Sequence, residues 1–96
     1  MRFEWDPEKD AANQAAHDLS FSEAKQLFVS GLDCLEIFDA LHSLDEDRFI
    51  TIGPISRGVI LVVWTEREED IIRIISARMA TKDEQSRYFR FLENQT

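Results

Sequence analysis

Apolar and polar residues recur along this chain with two different periods, one typical of helices and one typical of strands. Asp6-Pro7 supplies an N-cap and a proline at the first helical position, so a first helix is expected over 7–17. A capping box from Ser20 to Glu23 opens a second helix, over 21–29, whose apolar residues follow a three-four spacing. A second capping box, Thr81-Lys82-Asp83-Glu84, opens a third helix that extends to about residue 93.

Five β-prone runs complete the pattern, at 3–5, 34–38, 48–55, 59–65 and 70–77. The last three are joined by a turn at Ser56-Arg57-Gly58 and a tight turn through Arg67-Glu68-Glu69, which favours an antiparallel meander. The run 59–64 lacks alternation, so it is expected to be the central strand, covered on both faces. The sequence therefore predicts an α+β fold of order β-α-α-β-β-β-β-α, in which an antiparallel β-meander sheet packs with two N-terminal helices and one C-terminal helix.

Composition narrows the class of protein. Ninety-six residues suit a single domain, 1–96. The formal net charge of −8 opposes passive adhesion to nucleic acid or to an anionic membrane. Residues 1–47 carry twelve acids and three bases, whereas residues 48–96 carry seven acids and eight bases, so the C-terminal half can still present a basic surface. One cysteine, Cys34, allows neither an intramolecular disulfide nor a multi-cysteine zinc site. No apolar run reaches the length of a membrane span, and a cytoplasmic protein without membrane contact is expected.

The predicted loop 39–47 contains His42 and three consecutive acids, Asp45-Glu46-Asp47. A solvated loop is the simplest interpretation, and paired carboxylates that hold a cation are the alternative. No regular spacing of metal ligands supports the cation. Neither a metal nor a cofactor is therefore expected.

Three blocks of residues carry a resemblance to a known family. The first is the run Phe3-Glu4-Trp5-Asp6-Pro7-Glu8-Lys9, followed by Asn13, His17 and Ser20-Phe21; the second is Thr65-Glu66-Arg67; the third runs from Arg73 to Thr81 and continues to Glu84 and Tyr88. Taken in order, these blocks resemble the BrnT family of bacterial type II toxins. The resemblance extends over nearly the whole chain, from Phe3 to Tyr88.

This resemblance implies an α+β fold similar to that of the RelE and ParE toxins, and a ribonuclease activity that arrests growth. It also implies RNA as substrate, a cognate antitoxin with a ribbon-helix-helix DNA-binding part, operator DNA contacted only through that antitoxin, and a homo- or hetero-oligomer. The alternative is a catalytically degenerate homologue that acts as an antitoxin-binding and regulatory module. The acidic net charge favours this alternative, as do Ala16 and Met79, which stand where family members often carry basic residues.

A metal-independent ribonuclease needs a base for the ribose 2′-OH, a cation for the crowded phosphate and an acid for the 5′-oxygen. Arg67 and Arg78 are the predicted cations because a guanidinium fork makes two parallel hydrogen bonds to phosphate. Arg78 also precedes a helix N-terminus, which would itself attract a phosphate. His17 is the predicted proton carrier; its structural alternative is a histidine that interacts with the last carbonyls of the first helix.

Lys9, Arg73 and Lys82 are the further candidates for RNA binding. Lys9 shares a helix face with His17 and could instead pair with an acid, and Lys82 lies in the first turn of its helix, where a cation opposes the helix dipole. A structural ion pair with an N-terminal acid, such as Asp6 or Glu8, is the alternative for Arg73.

Strand periodicity relates the three arginines to one another. Period two in the last strand sends Arg73 and Arg78 to opposite faces of the sheet. Arg67 and Arg78 are expected toward opposite ends of that strand, so one pocket is not required to hold both.

Overall fold

In a computed structural model, which describes residues 1–68 and 70–95, the chain forms a five-stranded sheet packed with helices. The strands are β1 (Arg2–Glu4), β2 (Leu35–Phe38), β3 (Phe49–Ile55), β4 (Gly58–Arg67) and β5 (Ile71–Met79). The helices are α1 (Pro7–His17), α2 (Phe21–Ala24), α3 (Gln26–Val29) and α4 (Lys82–Glu93), with a short 3-10 helix at Ala40–His42. The predicted α+β class is confirmed, and the predicted second helix is divided into α2 and α3. Glu69, the third residue of the predicted turn, lies outside the described residues.

The sheet has the strand order β1-β5-β4-β3-β2, which places β4 at its centre as the unbroken apolar run predicted. Strands β2 to β5 form the antiparallel meander. β1 adds to it in parallel with β5, through Arg2, Phe3 and Glu4. No described helix is long and apolar enough to cross a membrane.

One face of the sheet, here called the helical face, is buried under α2 and α3. Both predicted N-terminal caps are present: Asp6 accepts from Glu8 N, and the capping box joins Ser20 and Glu23. The apolar sides of α2 and α3 face the sheet. The buried residues of this face are Leu19, Phe21, Ala24, Leu27, Ile60, Val62, Trp64, Ile72, Ile74 and Ala77.

The opposite face is covered in part by α4, whose capping box joins Thr81 and Glu84 as predicted. Tyr88 and Ala80 are buried there against Ile52 and Leu61. The loop 39–47 covers another part, because the Thr65 hydroxyl donates a hydrogen bond to the Asp47 carbonyl. Between α4 and this loop, the sheet remains accessible.

A β-bulge in β5 changes which face of the sheet carries Arg73 and Arg78. Val63 pairs with Ser76, but the next residue, Trp64, pairs with Ile74, so Ile75 is an extra residue on β5. An extra residue shifts the alternation by one position. Arg73 and Arg78 therefore lie on the same face of the sheet, and the prediction that they point to opposite faces is wrong.

Helix α1 attaches to the sheet through a polar side chain and not through its alanines. Asn13 is its only buried residue, whereas Ala11, Ala12, Ala15 and Ala16 are exposed. The Asn13 amide donates to the carbonyls of Leu19 and Ala77, both at 2.8 Å, and accepts from Ala77 N at 3.1 Å. β1 pairs with β5 only up to Arg73, so Asn13 completes the hydrogen bonding of the β5 edge where β1 has ended.

Candidate functional site: the arginine face

Three of the predicted site residues lie on the sheet face opposite α2 and α3, here called the arginine face. Trp64 is buried on the helical face, so its neighbour Thr65 lies on the arginine face, and so does Arg67 two positions later. Arg73 pairs with Thr65 and therefore lies on the same face. Arg78 pairs with Leu61 on the same face. Arg67 pairs with Ile71 at the start of β5, so the backbones of Arg67 and Arg78 are roughly 20 Å apart along the strand. The face thus carries a row of cations and no single pocket for all three, as the sequence indicated for Arg67 and Arg78.

Arg78 lies at the junction of β5 and α4, where Glu84 holds its guanidinium. Nη1 donates to Glu84 Oε1 at 2.7 Å and Nη2 donates to Oε2 at 2.8 Å, while Nη1 also donates to the Met79 carbonyl at 3.3 Å. The same Glu84 carboxylate accepts from Thr81 N in the capping box. The helix cap and the arginine therefore share one carboxylate, which fixes Arg78 against the first turn of α4.

This pairing lowers the pKa of Glu84 to about 2, because the Arg78 hydrogen bonds stabilise the carboxylate more than its partial burial destabilises it. The same hydrogen bonds raise the pKa of Arg78. An arginine has five N–H donors. The two on Nη1 and one on Nη2 are engaged, and no other described residue accepts from the Nε or the second Nη2 donor, which together form one side of the fork. That side is the edge with which an arginine binds a phosphate in a bidentate way.

Arg67 and Arg73 have weaker partners. Arg67 Nη2 lies 3.5 Å from Glu46 Oε2, and Arg73 Nη1 lies 3.6 Å from Glu4 Oε1. Both pairs are partly exposed and longer than a good hydrogen bond, so they contribute little to stability and exchange readily. The alternative for Arg73, an ion pair with an N-terminal acid, is present. The partner is Glu4, which lies opposite Arg73 on β1, and not one of the two acids named from the sequence, Asp6 and Glu8.

A depression of about 350 Å³ lies on the arginine face beside Arg78, and we call it the Arg78 depression. Its walls come from the loop 39–47, the start of β3, the middle of β4, the end of β5 and the first turn of α4. The residues that line it are Asp39, His42, Arg48, Ile50, Leu61, Val63, Ile75, Ser76, Arg78 and Glu84. Two arginines and one histidine therefore meet over an apolar floor, a combination suited to a phosphate-bearing ligand.

His42 and Arg48 are functional candidates that the sequence analysis did not identify. The Asp39 carboxylate lies 2.9 Å from His42 Nδ1. Among the described residues, Arg48 Nε is buried without a hydrogen-bond partner, and the nearest carboxylate oxygen, on Glu46, is 3.9 Å away. One local signal was available, since Asp39 precedes His42 by three positions, the spacing that brings two side chains together in a helical turn. The return of the loop to the arginine face could not be inferred from that spacing.

The remaining predicted residues are not joined to this depression. Lys9 and His17 are exposed on α1, and Lys82 is exposed in the first turn of α4. In the part of the chain that the structure describes, no hydrogen bond or ion pair links any of the three to Arg67, Arg73 or Arg78. Their proposed roles thus receive no support from side-chain contacts.

A second depression, of about 340 Å³, lies on the helical face near the start of β5. Its floor is apolar, with Phe28, Trp64 and Ile72, but acids line it, among them Glu36 and Glu66. Carboxylates repel phosphate, and no arginine, lysine or histidine of the described chain lines this depression, whereas Asp39 and Glu84 in the Arg78 depression are each paired with a basic side chain. This depression is therefore the poorer candidate for RNA. Within the described residues, no group of three or more His, Cys, Asp or Glu side chains is arranged to hold a metal ion.

The fold and the arginine face together define a small α+β protein with a depression at a strand-to-helix junction that is lined by His42, Arg48 and Arg78. Comparison with known proteins agrees with the resemblance in the sequence. Residues 5–84 match the family model described as "Ribonuclease toxin, BrnT, of type II toxin-antitoxin system". The chain belongs to this BrnT toxin family.

The crystal structure of the Brucella abortus ribonuclease toxin BrnT is similar to this chain, with a TM-score of 0.66 and 24% sequence identity. The match covers 85% of this chain and 99% of the Brucella chain, so the two share their fold over almost the whole domain. None of the curated proteins matches this chain significantly.

Proposed function

We propose that this chain is a ribonuclease toxin of a type II toxin-antitoxin system and that it cleaves RNA at the Arg78 depression. Family membership supports the reaction class and the existence of a protein antitoxin. The observation that carries the location is the geometry of Arg78: Glu84 fixes the guanidinium while one side of its fork keeps two N–H donors for a ligand.

The proposed reaction is attack of the ribose 2′-oxygen on the adjacent phosphorus, without a metal in the chemical step. Arg78 binds the non-bridging phosphate oxygens and stabilises the charge that develops on the pentacovalent phosphorane. Glu84 is a positioning residue in this scheme, because it contacts Arg78 and not the substrate. Arg67 and Arg73 lie further along the same face and extend the surface available to neighbouring phosphates of a single strand.

Lys9 and Lys82 are proposed only as peripheral phosphate contacts, which long-range attraction can supply without a fixed partner. Proton transfer requires a histidine or an equivalent group. His17 was the histidine singled out in the sequence, but the described structure shows no contact that brings it to the arginine face. The proton carrier is therefore sought among the residues that line the Arg78 depression.

The test of the proposed function is the incubation of purified chain with single-stranded RNA in the presence of EDTA. The expected products end in a 2′,3′-cyclic phosphate or a 3′-phosphate, and the cognate antitoxin should suppress their formation. Intact RNA at equimolar protein without antitoxin would contradict the proposal.

The second candidate function is an antitoxin-binding module that has lost catalysis. The carboxylate partners favour it, because Glu46, Glu4 and Glu84 each lie beside one arginine of the proposed RNA surface. Expression in bacteria separates the two functions. Growth arrest that Arg78→Ala relieves supports the ribonuclease, whereas harmless expression of a soluble chain that still binds the antitoxin supports the module.

A further inference from the structure

We infer that His42 is the general base of the proposed reaction and that Arg48 is a second phosphate ligand beside it. This inference rests on the proposed function. It follows from the walls of the Arg78 depression, where His42, Arg48 and Arg78 approach one ligand volume from three different segments of the chain.

The hydrogen bond to Asp39 decides which nitrogen of His42 can act. A carboxylate only accepts hydrogen bonds, so the neutral imidazole that donates to it carries its hydrogen on Nδ1. The 2.9 Å contact between Nδ1 and the Asp39 carboxylate therefore leaves the lone pair on Nε2. A neutral histidine with a lone pair on Nε2, in a side chain that is mostly exposed, is suited to accept a proton.

The loop that carries His42 is held against β3 by a set of hydrogen bonds. Asp39 N donates to the Arg48 carbonyl at 2.8 Å, and Arg48 N donates to Ser43 Oγ at 2.9 Å. Ser43 Oγ also donates to the Asp39 carbonyl at 2.5 Å. Asp39 itself is largely buried, with 14% of its side chain exposed, whereas the His42 side chain is 65% exposed. The Asp39 side chain is thus held in place, and the His42 imidazole remains accessible to a substrate.

Arg48 is the arginine of the depression whose charge the protein neutralises least. Its Nε has no hydrogen-bond partner in the described part of the chain, and Glu46 is 3.9 Å away, whereas Arg78 makes two hydrogen bonds of 2.7 and 2.8 Å to Glu84. A buried N–H group without an acceptor is costly, so a bound anion is favoured near this guanidinium. Arg48 and Arg78 can then contact two sides of one phosphate.

The proposed step moves one proton to His42 and replaces one bond to phosphorus by another. His42 Nε2 takes the proton of the 2′-OH while the 2′-oxygen forms a bond to phosphorus, and the bond between phosphorus and the 5′-oxygen breaks. The departing 5′-oxygen takes a proton from water, and the imidazolium returns its proton to solvent. The products are a 2′,3′-cyclic phosphate and a 5′-hydroxyl end.

The experiment compares cleavage of single-stranded RNA by the wild type, His42→Ala, His17→Gln and Leu41→Ala. Leu41 is the control, because it precedes His42 in the same 3-10 helix and its side chain is 86% exposed. We expect His42→Ala to lose about 100-fold or more of the rate, which is the usual effect of a general base. We expect this loss to exceed that of His17→Gln at least tenfold, and Leu41→Ala to retain the wild-type rate.

Chemical rescue distinguishes a base from a residue that only supports the loop. Added imidazole should restore a measurable part of the His42→Ala rate, because it can enter the emptied space and accept the proton, and it should leave the wild-type rate unchanged. A His42→Ala rate within threefold of wild type, a loss without rescue, or a larger loss in His17→Gln would overturn the assignment of the base.

Arg48 is tested separately by Arg48→Lys, which retains the charge and removes the planar fork. We expect about a tenfold rise in KM for RNA with the melting temperature unchanged, and an unchanged KM would overturn the role of Arg48. Intact RNA with wild-type protein would instead count against the proposed function itself, so the two failures are distinguishable.

Discussion

Replacement of Glu84 by glutamine tests the junction between β5 and α4 quantitatively. The substitution keeps the size of the side chain but removes the charge that receives both hydrogen bonds of Arg78. The pKa of Glu84 falls from an ordinary value of 4.5 to about 2 in the folded chain. A difference of this size corresponds to roughly 3 kcal/mol of stabilisation at neutral pH. Because the partner Arg78 is 37% exposed, solvent reduces this contribution, and we expect about 1–2 kcal/mol.

The sign of the pH dependence follows from the lowered pKa. The stabilisation is fully present above pH 4.5, where the carboxylate is ionised in both folded and unfolded chains, and it is lost as the pH falls toward 2. Glu84→Gln should therefore lower the melting temperature at pH 7 by about 5–15 °C. The difference between variant and wild type should shrink progressively between pH 4.5 and pH 2.

The assay is thermal unfolding followed by circular dichroism at several pH values, with Asp83→Asn as the matched control. Asp83 lies in the same first turn of α4 and makes no side-chain hydrogen bond to any described residue. Its replacement should lose only the small interaction with the helix dipole, about 0.3–1 kcal/mol. Equal losses in Glu84→Gln and Asp83→Asn, or a Glu84→Gln effect that is the same at pH 7 and pH 2.5, would refute the reasoning.

Three further predictions concern other parts of the molecule. Asn13→Ala should lower the free energy of unfolding by about 2–4 kcal/mol in urea titrations, because it leaves buried backbone groups of Leu19 and Ala77 without partners; a loss below 1 kcal/mol would contradict the anchoring role of Asn13. Gly53→Ala should lower the free energy of unfolding by about 1–3 kcal/mol in the same titration, because the added Cβ would lie 2.7 Å from both Cys34 Sγ and Leu27 Cδ1. Wild-type stability would contradict this prediction, since it would show that Cys34 and Leu27 can move aside without loss of stability. Arg78→Ala should abolish RNA cleavage and also lower the melting temperature by several degrees, since it leaves the Glu84 carboxylate without its arginine; full activity would exclude Arg78 from the site.

The elements of this fold were predictable because their signals are local. The two capping boxes, the Asp6-Pro7 helix start and the unbroken apolar run of β4 each depend on residues within a few positions of one another. The bulge at Ile75 has no such signal. It depends on the pairing of β5 with β4, and neither glycine nor proline marks its place in the sequence.

The bulge at Ile75 altered the predicted arrangement of the site residues more than any error in the bounds of a helix or strand. Strict alternation separated Arg73 from Arg78, and the bulge returns them to one face. Asn13 illustrates the same limit, because no local pattern indicates that it binds the backbone of Ala77, 64 positions away. His42 and Arg48 were missed for a related reason: the two approach Arg78 only because loop 39–47 folds back over the sheet.

The most direct test of the site's location is a nuclear magnetic resonance titration of ¹⁵N-labelled chain with a short 2′-O-methyl oligoribonucleotide. This ligand retains the phosphates but has no 2′-OH to attack, so it binds without being cleaved. We predict that the amide signals of Leu61, Val63, Ser76 and Arg78 shift together with those of the loop around His42. Shifts confined to α1, or to the acidic depression beside Trp64, would contradict the assignment of the RNA site to the arginine face.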